Sequence, residues 1–202
     1  MGKVDADKKE KKKVSKEDFT KRANMIIGIV IGVICIVIVL ALFFSNKPAG
    51  SSPWSGLEGE KTAVVSIKTD KGDVTLALYP ELMPETVNNF LGLVDKGFYN
   101  GLKFHRVEDW VIQGGDPKGD GTGGSEKTIK LETNPKLMNW RGAVAMARST
   151  DPNSASSQFY ILKNDSPHLN GGYAVFGRVI SGMEIIDKIQ KDDKMIEVKK
   201  MM

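Results

Sequence analysis

The chain has 202 residues, with 29 Lys and Arg against 25 Asp and Glu, two histidines and one cysteine. That length allows one ordinary globular domain with extensions. The cysteine is Cys35, inside an apolar run, so the remainder can form neither an internal disulfide nor a cysteine metal cluster. The net charge of +4 resides in the first 22 residues, where nine basic side chains meet five acidic ones; the rest is balanced, which argues against a nucleic-acid surface.

Residues 1–22 read as a solvated basic cytoplasmic tail, with a secondary affinity for anionic lipid heads. Residues 23–44, ANMIIGIVIGVICIVIVLALFF, carry no charge. A helix needs about 20 apolar residues to cross a bilayer core, and a buried soluble helix of this length would show a polar face. The run is longer than the apolar core of a cleaved signal and FFSNKPAG offers no Ala-x-Ala site, so a single transmembrane helix is expected. Lys21 and Arg22 abut its N-terminal side while only Lys47 lies close on the other, which predicts a single-pass cell-membrane protein with the later residues outside the cytoplasm. Residues 45–60, rich in Ser, Gly and Pro, read as a flexible linker.

From residue 61 to 202 the pattern is that of a folded domain. AVVSIKT and DVTLALY alternate apolar and polar residues around Lys71-Gly72, which predicts a hairpin. PETVNNFLGLVDKG follows, with Pro84 suited to a first helical turn, Val87, Phe90, Leu91 and Val94 at helical spacing, and Gly97 placed to end the helix. LKFHRV, WVIQGG, KTIKLE, GAVAMA, SQFYILK, YAVFGRVI and MIEVKK read as short strands, and GMEIIDKIQK as a second short helix. Many short strands and two helices predict a mainly β domain, a closed antiparallel barrel that removes its own sheet edges.

Gln113 to Glu126 holds six glycines in fourteen residues, and Gly119 to Gly124 satisfies G-x-G-x-x-G. A dinucleotide turn must open a helix after a buried strand, and here an alternating segment follows instead, so nucleotide binding is not expected. Gly124 is followed by Ser-Glu, which excludes a phosphate loop of the Lys-Ser/Thr type. Asp116-x-Lys118-x-Asp120 begins like a calcium loop but places a lysine where a ligand oxygen is needed. Neither a metal nor a cofactor is expected. The glycines read as a surface loop that turns sharply or lets backbone approach a ligand.

FHRVEDWVIQGGDPKGDGTGG, MARSTDPNSASSQFYI and LNGGYAVFGRVISGMEIIDKI, in that order and spacing, resemble the cyclophilin peptidyl-prolyl cis–trans isomerases over about residues 62–190. The resemblance implies an eight-stranded antiparallel barrel closed by two helices, with a substrate groove on one outer face. It implies that Arg106 is the catalytic arginine, with Gln113 beside it. The groove for proline-containing polypeptides would be formed by Trp110, Val111, Met146, Ala147, Arg148, Gln158, Tyr160, His168, Leu169, Tyr173 and Gly121. Trp110 and Tyr160 stand where the family usually has Phe, and the spacing from Arg106 to Gln113 is one residue shorter than usual because EDW replaces a Pro-containing turn. His105 is expected to support the structure through hydrogen bonds. The expected activity is X-Pro isomerisation during folding of exported or membrane-proximal proteins. The altered turn keeps a second possibility open, a non-catalytic module or holdase that binds proline-containing segments.

Overall fold

The computed structural model describes residues 52–201. The expected basic tail, the transmembrane run of 23–44 and the first part of the linker lie outside the described residues. Among those described, no helix is long and apolar enough to cross a membrane.

The described residues open with a 3-10 turn, Ser55–Leu57, inside the segment expected to be linker. Trp54 and Leu57 are 8% and 6% exposed and belong to the main apolar cluster. The Trp54 ring also lies against the Arg178 guanidinium, 5.9 Å from its centroid, and Arg178 donates to the Tyr79 hydroxyl at 2.9 Å. The packed domain therefore begins several residues before position 61. A fragment starting at 61 should be less stable than one starting at 53 by about 3 kcal/mol, from two buried apolar side chains at about 1.5 kcal/mol each. Thermal melts of the two should differ by roughly 6–12 °C for a domain of this size.

Eight antiparallel strands follow in the order β3-β4-β6-β5-β7-β2-β1-β8. Strands β1 (Ala63–Thr69) and β2 (Gly72–Leu78) form the expected hairpin, in register from Ala63↔Leu78 to Thr69↔Gly72. Strands β3 (Arg106–Val107) and β4 (Val111–Gly114) form a second, much shorter one. The sheet continues through β5 (Ala143–Met146), β6 (Phe159–Leu162), β7 (Val175–Ser181) and β8 (Met195–Met201). Helix α1 (Pro84–Asp95) starts on Pro84 as expected. Its first free N–H groups, those of Glu85 and Thr86, donate to the Glu132 carboxylate at 3.0 and 2.7 Å, a cap supplied from 46 residues away. Its apolar stripe enters the core, where Phe90 meets Tyr99, Phe159 and Phe176 at 4.9–5.4 Å.

Three expectations change. The sheet is a half-barrel rather than a closed ladder, because edge strands β3 and β8 do not pair with each other. β3 is only two residues long, and the chain before β8 bends at Asp192, whose φ is +72°. Irregular backbone bridges this seam instead: Gly101 and Phe104 donate to Met195 and Asp193, and Met195 donates back to Leu102. KTIKLE is not a strand; only Ile129 is buried, and it makes a single bridge to Ala155. The second helix, α2, is one turn, Met183–Ile186.

Candidate active site

The β3–β4 hairpin builds one wall of a recess. Its register sets Arg106 opposite Gln113, and the Glu108 N–H donates to the Val111 carbonyl at 2.9 Å to close the turn. Side chains alternate in extended chain, so Arg106, Glu108 and Trp110 can be brought to one side. The contacts between them show that they are. Arg106 Nε donates to Glu108 Oε1 and Trp110 Nε1 donates to Glu108 Oε2, both at 2.7 Å. The guanidinium carbon lies 5.4 Å from the Trp110 ring centroid. Arg106 Nη1 donates to Gln113 Oε1 at 3.2 Å, and Gln113 Nε2 donates onward to Gln158 Oε1 at 2.8 Å.

The recess between these groups is a cavity of about 100 Å³ lined by Arg106, Trp110, Gln113, Ala147, Arg148, Tyr160, Leu169 and Tyr173. It is small beside the ~300–1,000 Å³ of a drug-sized pocket and is scaled to a single ring. Tyr160 is 5% exposed and satisfies its hydroxyl inward on Asn139 Oδ1 at 2.7 Å, so it offers the recess an aromatic surface. Tyr173 packs edge-on against it with centroids 5.8 Å apart. Arg148 lies over the Tyr173 ring at 4.7 Å, held by the carbonyls of Gly172 and Ser149 at 2.9 and 2.7 Å.

Gln113, Ala147 and Arg148 also border a second hollow of about 250 Å³, whose far side is Gly121 to Gly123 together with Gln158, Ser149, Ser154 and Ser156. Gln158 Nε2 ties this loop to the first recess by donating to the carbonyls of Gly121 and Gly123 at 3.0 and 2.7 Å. A larger hollow of about 470 Å³ lies between α1 and residues 124–127 and includes none of the groups of the first recess.

Three of the expected site residues fall elsewhere. Val111 and Met146 are each 1% exposed, sit in the core cluster and do not line the recess. Both belong to short strands whose side chains are almost all buried, which leaves them no open face. His168 stands beside the recess rather than in it, with its ring centroid 6.4 Å from that of Trp110.

The glycine loop has its own anchor. Asp116 is 1% exposed; its Oδ1 accepts the Lys118 N–H at 2.8 Å, and its Oδ2 accepts those of Asp120 and Gly121 at 3.1 and 2.6 Å. Burial pushes the Asp116 carboxyl up, but the backbone N–H groups of Lys118, Gly121, Gly123 and Asp120 together outweigh it and hold it below the usual carboxylate range. A Cβ on Gly123 would collide with Asp116 Oδ1, which is why that position tolerates no side chain. His105, against the same loop, departs from expectation: it is 9% exposed, and neither ring nitrogen has a partner among the described residues. Burial lowers its pKa while Asp116 and Asp120 pull it up, so the neutral ring acts as packing under Gly121, where a Cβ would lie 3.7 Å away.

Two roles here are not among the sequence expectations: that of Glu108, and that of Asp116, which the sequence offers only as a calcium-loop position. The alternation in R-V-E-D-W held the signal for the first. The anchoring role of the second has no side-chain signal, because its partners are backbone N–H groups. The Glu108 carboxyl is held below the usual glutamate range by hydrogen bonds from Arg106 and then Trp110.

Comparison with known proteins shows the family of the chain. Residues 64–201 match the family model described as cyclophilin type peptidyl-prolyl cis-trans isomerase/CLD. The chain belongs to the cyclophilin family. It is 45% identical over 138 residues to a peptidyl-prolyl cis-trans isomerase of Helicobacter pylori strain J99, covering 66% of this chain and 84% of that one. It is 46% identical over 133 residues to peptidyl-prolyl cis-trans isomerase B of Bacillus subtilis, covering 64% and 92%. A crystal structure of a Cryptosporidium parvum cyclophilin superposes with a TM-score of 0.66 at 30% identity, covering 70% of this chain and 99% of that one. The cyclophilin match thus spans the half-barrel and leaves out residues 1–63.

Proposed function

We propose that this cyclophilin-type peptidyl-prolyl cis–trans isomerase acts on X-Pro bonds of polypeptides folding next to a membrane, to which residues 23–44 would anchor it. The activity is that of its family. The observation that carries the mechanism is the Arg106 guanidinium at the edge of an aromatic recess the size of one ring.

Peptide-bond rotation faces a barrier of about 18–20 kcal/mol set by amide resonance, and no covalent bond is broken. In the twisted state the prolyl nitrogen becomes pyramidal and gains a lone pair. A fixed cation that donates to that nitrogen favours the twisted state over both planar ones, which is catalysis by differential binding. Arg106 gives one N–H to Glu108 and one to Gln113, which leaves three of its five donors for substrate. Trp110, Tyr160, Leu169 and Tyr173 would hold the proline ring while Gln113, Gln158 and the backbone near Ala147 and Arg148 hold the flanking chain. In keeping with this, a second Cryptosporidium parvum cyclophilin structure was determined in the presence of the dipeptide Ala-Pro; it superposes with a TM-score of 0.64 at 31% identity.

The shortened turn that suggested a non-catalytic binder leaves Arg106 and Trp110 lining the recess, so it gives that reading no support. The test is a peptide isomerisation assay on residues 53–202 beside a known isomerase. Acceleration of the cis-to-trans step is expected; peptide binding without acceleration would sustain the binder instead. The membrane setting rests on the uncharged run and the basic flank before it. Recovery of the full-length protein in the membrane fraction, with the isomerase domain open to protease from outside the cytoplasm, is the expected result for it.

A further inference from the structure

We infer that Glu108 is a positioning residue for the isomerase reaction: its single carboxylate fixes the catalytic guanidinium and the wall of the proline recess relative to each other. The inference rests on the isomerase reading above. Three observations carry it. The two carboxylate oxygens are divided between two partners, Arg106 Nε and Trp110 Nε1, at 2.7 Å each. Both partners line the recess, whereas Glu108 does not. Finally, Glu108 lies in the closed turn of the β3–β4 hairpin, between its two partners in the chain.

The physical argument concerns geometry rather than stability. Arg106 and Glu108 side chains are 43% and 44% exposed, and an exposed pair of this kind contributes little to folding. Arginine and tryptophan on a two-residue edge strand and its turn would otherwise sample several rotamers. Bonding Arg106 at Nε leaves its Nη groups to face Gln113 and the recess, and bonding the indole N–H turns the Trp110 ring so that the guanidinium rests against it. Transition-state contacts made by a group that must first be ordered are weaker than those of a group already in place.

The carboxylate must be ionised to accept both bonds. Its native pKa lies below the usual glutamate range, so the clamp is intact at neutral pH and is lost as pH falls through that lowered value. The test compares wild type with Glu108→Gln and Glu108→Ala in isomerisation kinetics across pH, with thermal melts and the Trp110 indole N–H resonance followed in parallel. Expected at neutral pH is a loss of roughly ten- to a hundredfold in kcat/KM, the scale of a small misplacement of a reacting group, with melting temperature unchanged. Wild type should show an acid limb that coincides with the titration of the Trp110 indole signal, and Glu108→Gln should lack that limb. Wild-type kcat/KM in both variants, or a loss that merely follows a lowered melting temperature, would overturn the assignment. An inactive wild type would instead remove the isomerase reading itself.

Discussion

Arg106→Ala should reduce kcat/KM for a proline peptide by about a hundred- to a thousandfold, the cost of removing one preorganised donor to a developing charge, some 2.7–4 kcal/mol. The effect should fall on kcat, because the lone pair that Arg106 would meet exists only in the twisted state and the planar ground states bind without it. KM should change little, since Trp110, Tyr160, Leu169 and Tyr173 still surround the ring. Folding should be unaffected: the side chain is 43% exposed, on a strand of two residues at the sheet edge. Arg106→Lys keeps the charge but not the planar fork. It cannot hold Glu108 and Gln113 while also facing substrate, so it should recover no more than about tenfold of the loss. Exchange NMR on the peptide at equilibrium, with wild type and variant side by side, reads the interconversion rate directly. Unchanged exchange in Arg106→Ala would falsify the role given to this residue.

Sequence made the centre of the site legible and left its supports hidden, for physical reasons that differ by residue. Arg106, Gln113 and Gln158 stand in motifs that carry the family resemblance, and the paired hairpin register brings the first two face to face. The β1–β2 hairpin and α1 were visible because alternation and helical spacing are properties of the chain alone. Trp54 was lost in a Ser-, Gly- and Pro-rich neighbourhood. Composition describes the average of such a segment, whereas one aromatic ring packed on Arg178 and the core decides where it goes. KTIKLE alternates like a strand, yet no neighbouring strand is available beyond a single bridge, so propensity had nothing to pair with. The motifs that hold Val111 and Met146 place both in the groove. Burial separated them from it, because a motif conveys position along a strand and not which groups remain open to solvent.

Asp116→Asn should cost about 3 kcal/mol of stability, the penalty for leaving buried N–H donors without a charged acceptor. The substitution is nearly isosteric, so the loss reports hydrogen bonding rather than a cavity. Oδ1 accepts the Lys118 N–H and Oδ2 accepts those of Asp120 and Gly121, and an amide can present an acceptor on only one side. The unpaired donors belong to the turn that carries Gly121 and Gly123, whose carbonyls receive Gln158. From Gln158 the connection runs through Gln113 to Arg106, so loosening the loop should also lower kcat/KM, by roughly tenfold, without touching the recess itself. The pH dependence separates this from a general weakening of the fold. The native Asp116 pKa is depressed, so its contribution is present above the unfolded value of about 3.9 and disappears as pH falls through the native one. Denaturant titrations should therefore show a wild-type advantage at neutral pH that narrows on acidification below that value. A gap between wild type and Asp116→Asn that stays constant into the acid range would show that the carboxylate is not what holds the loop.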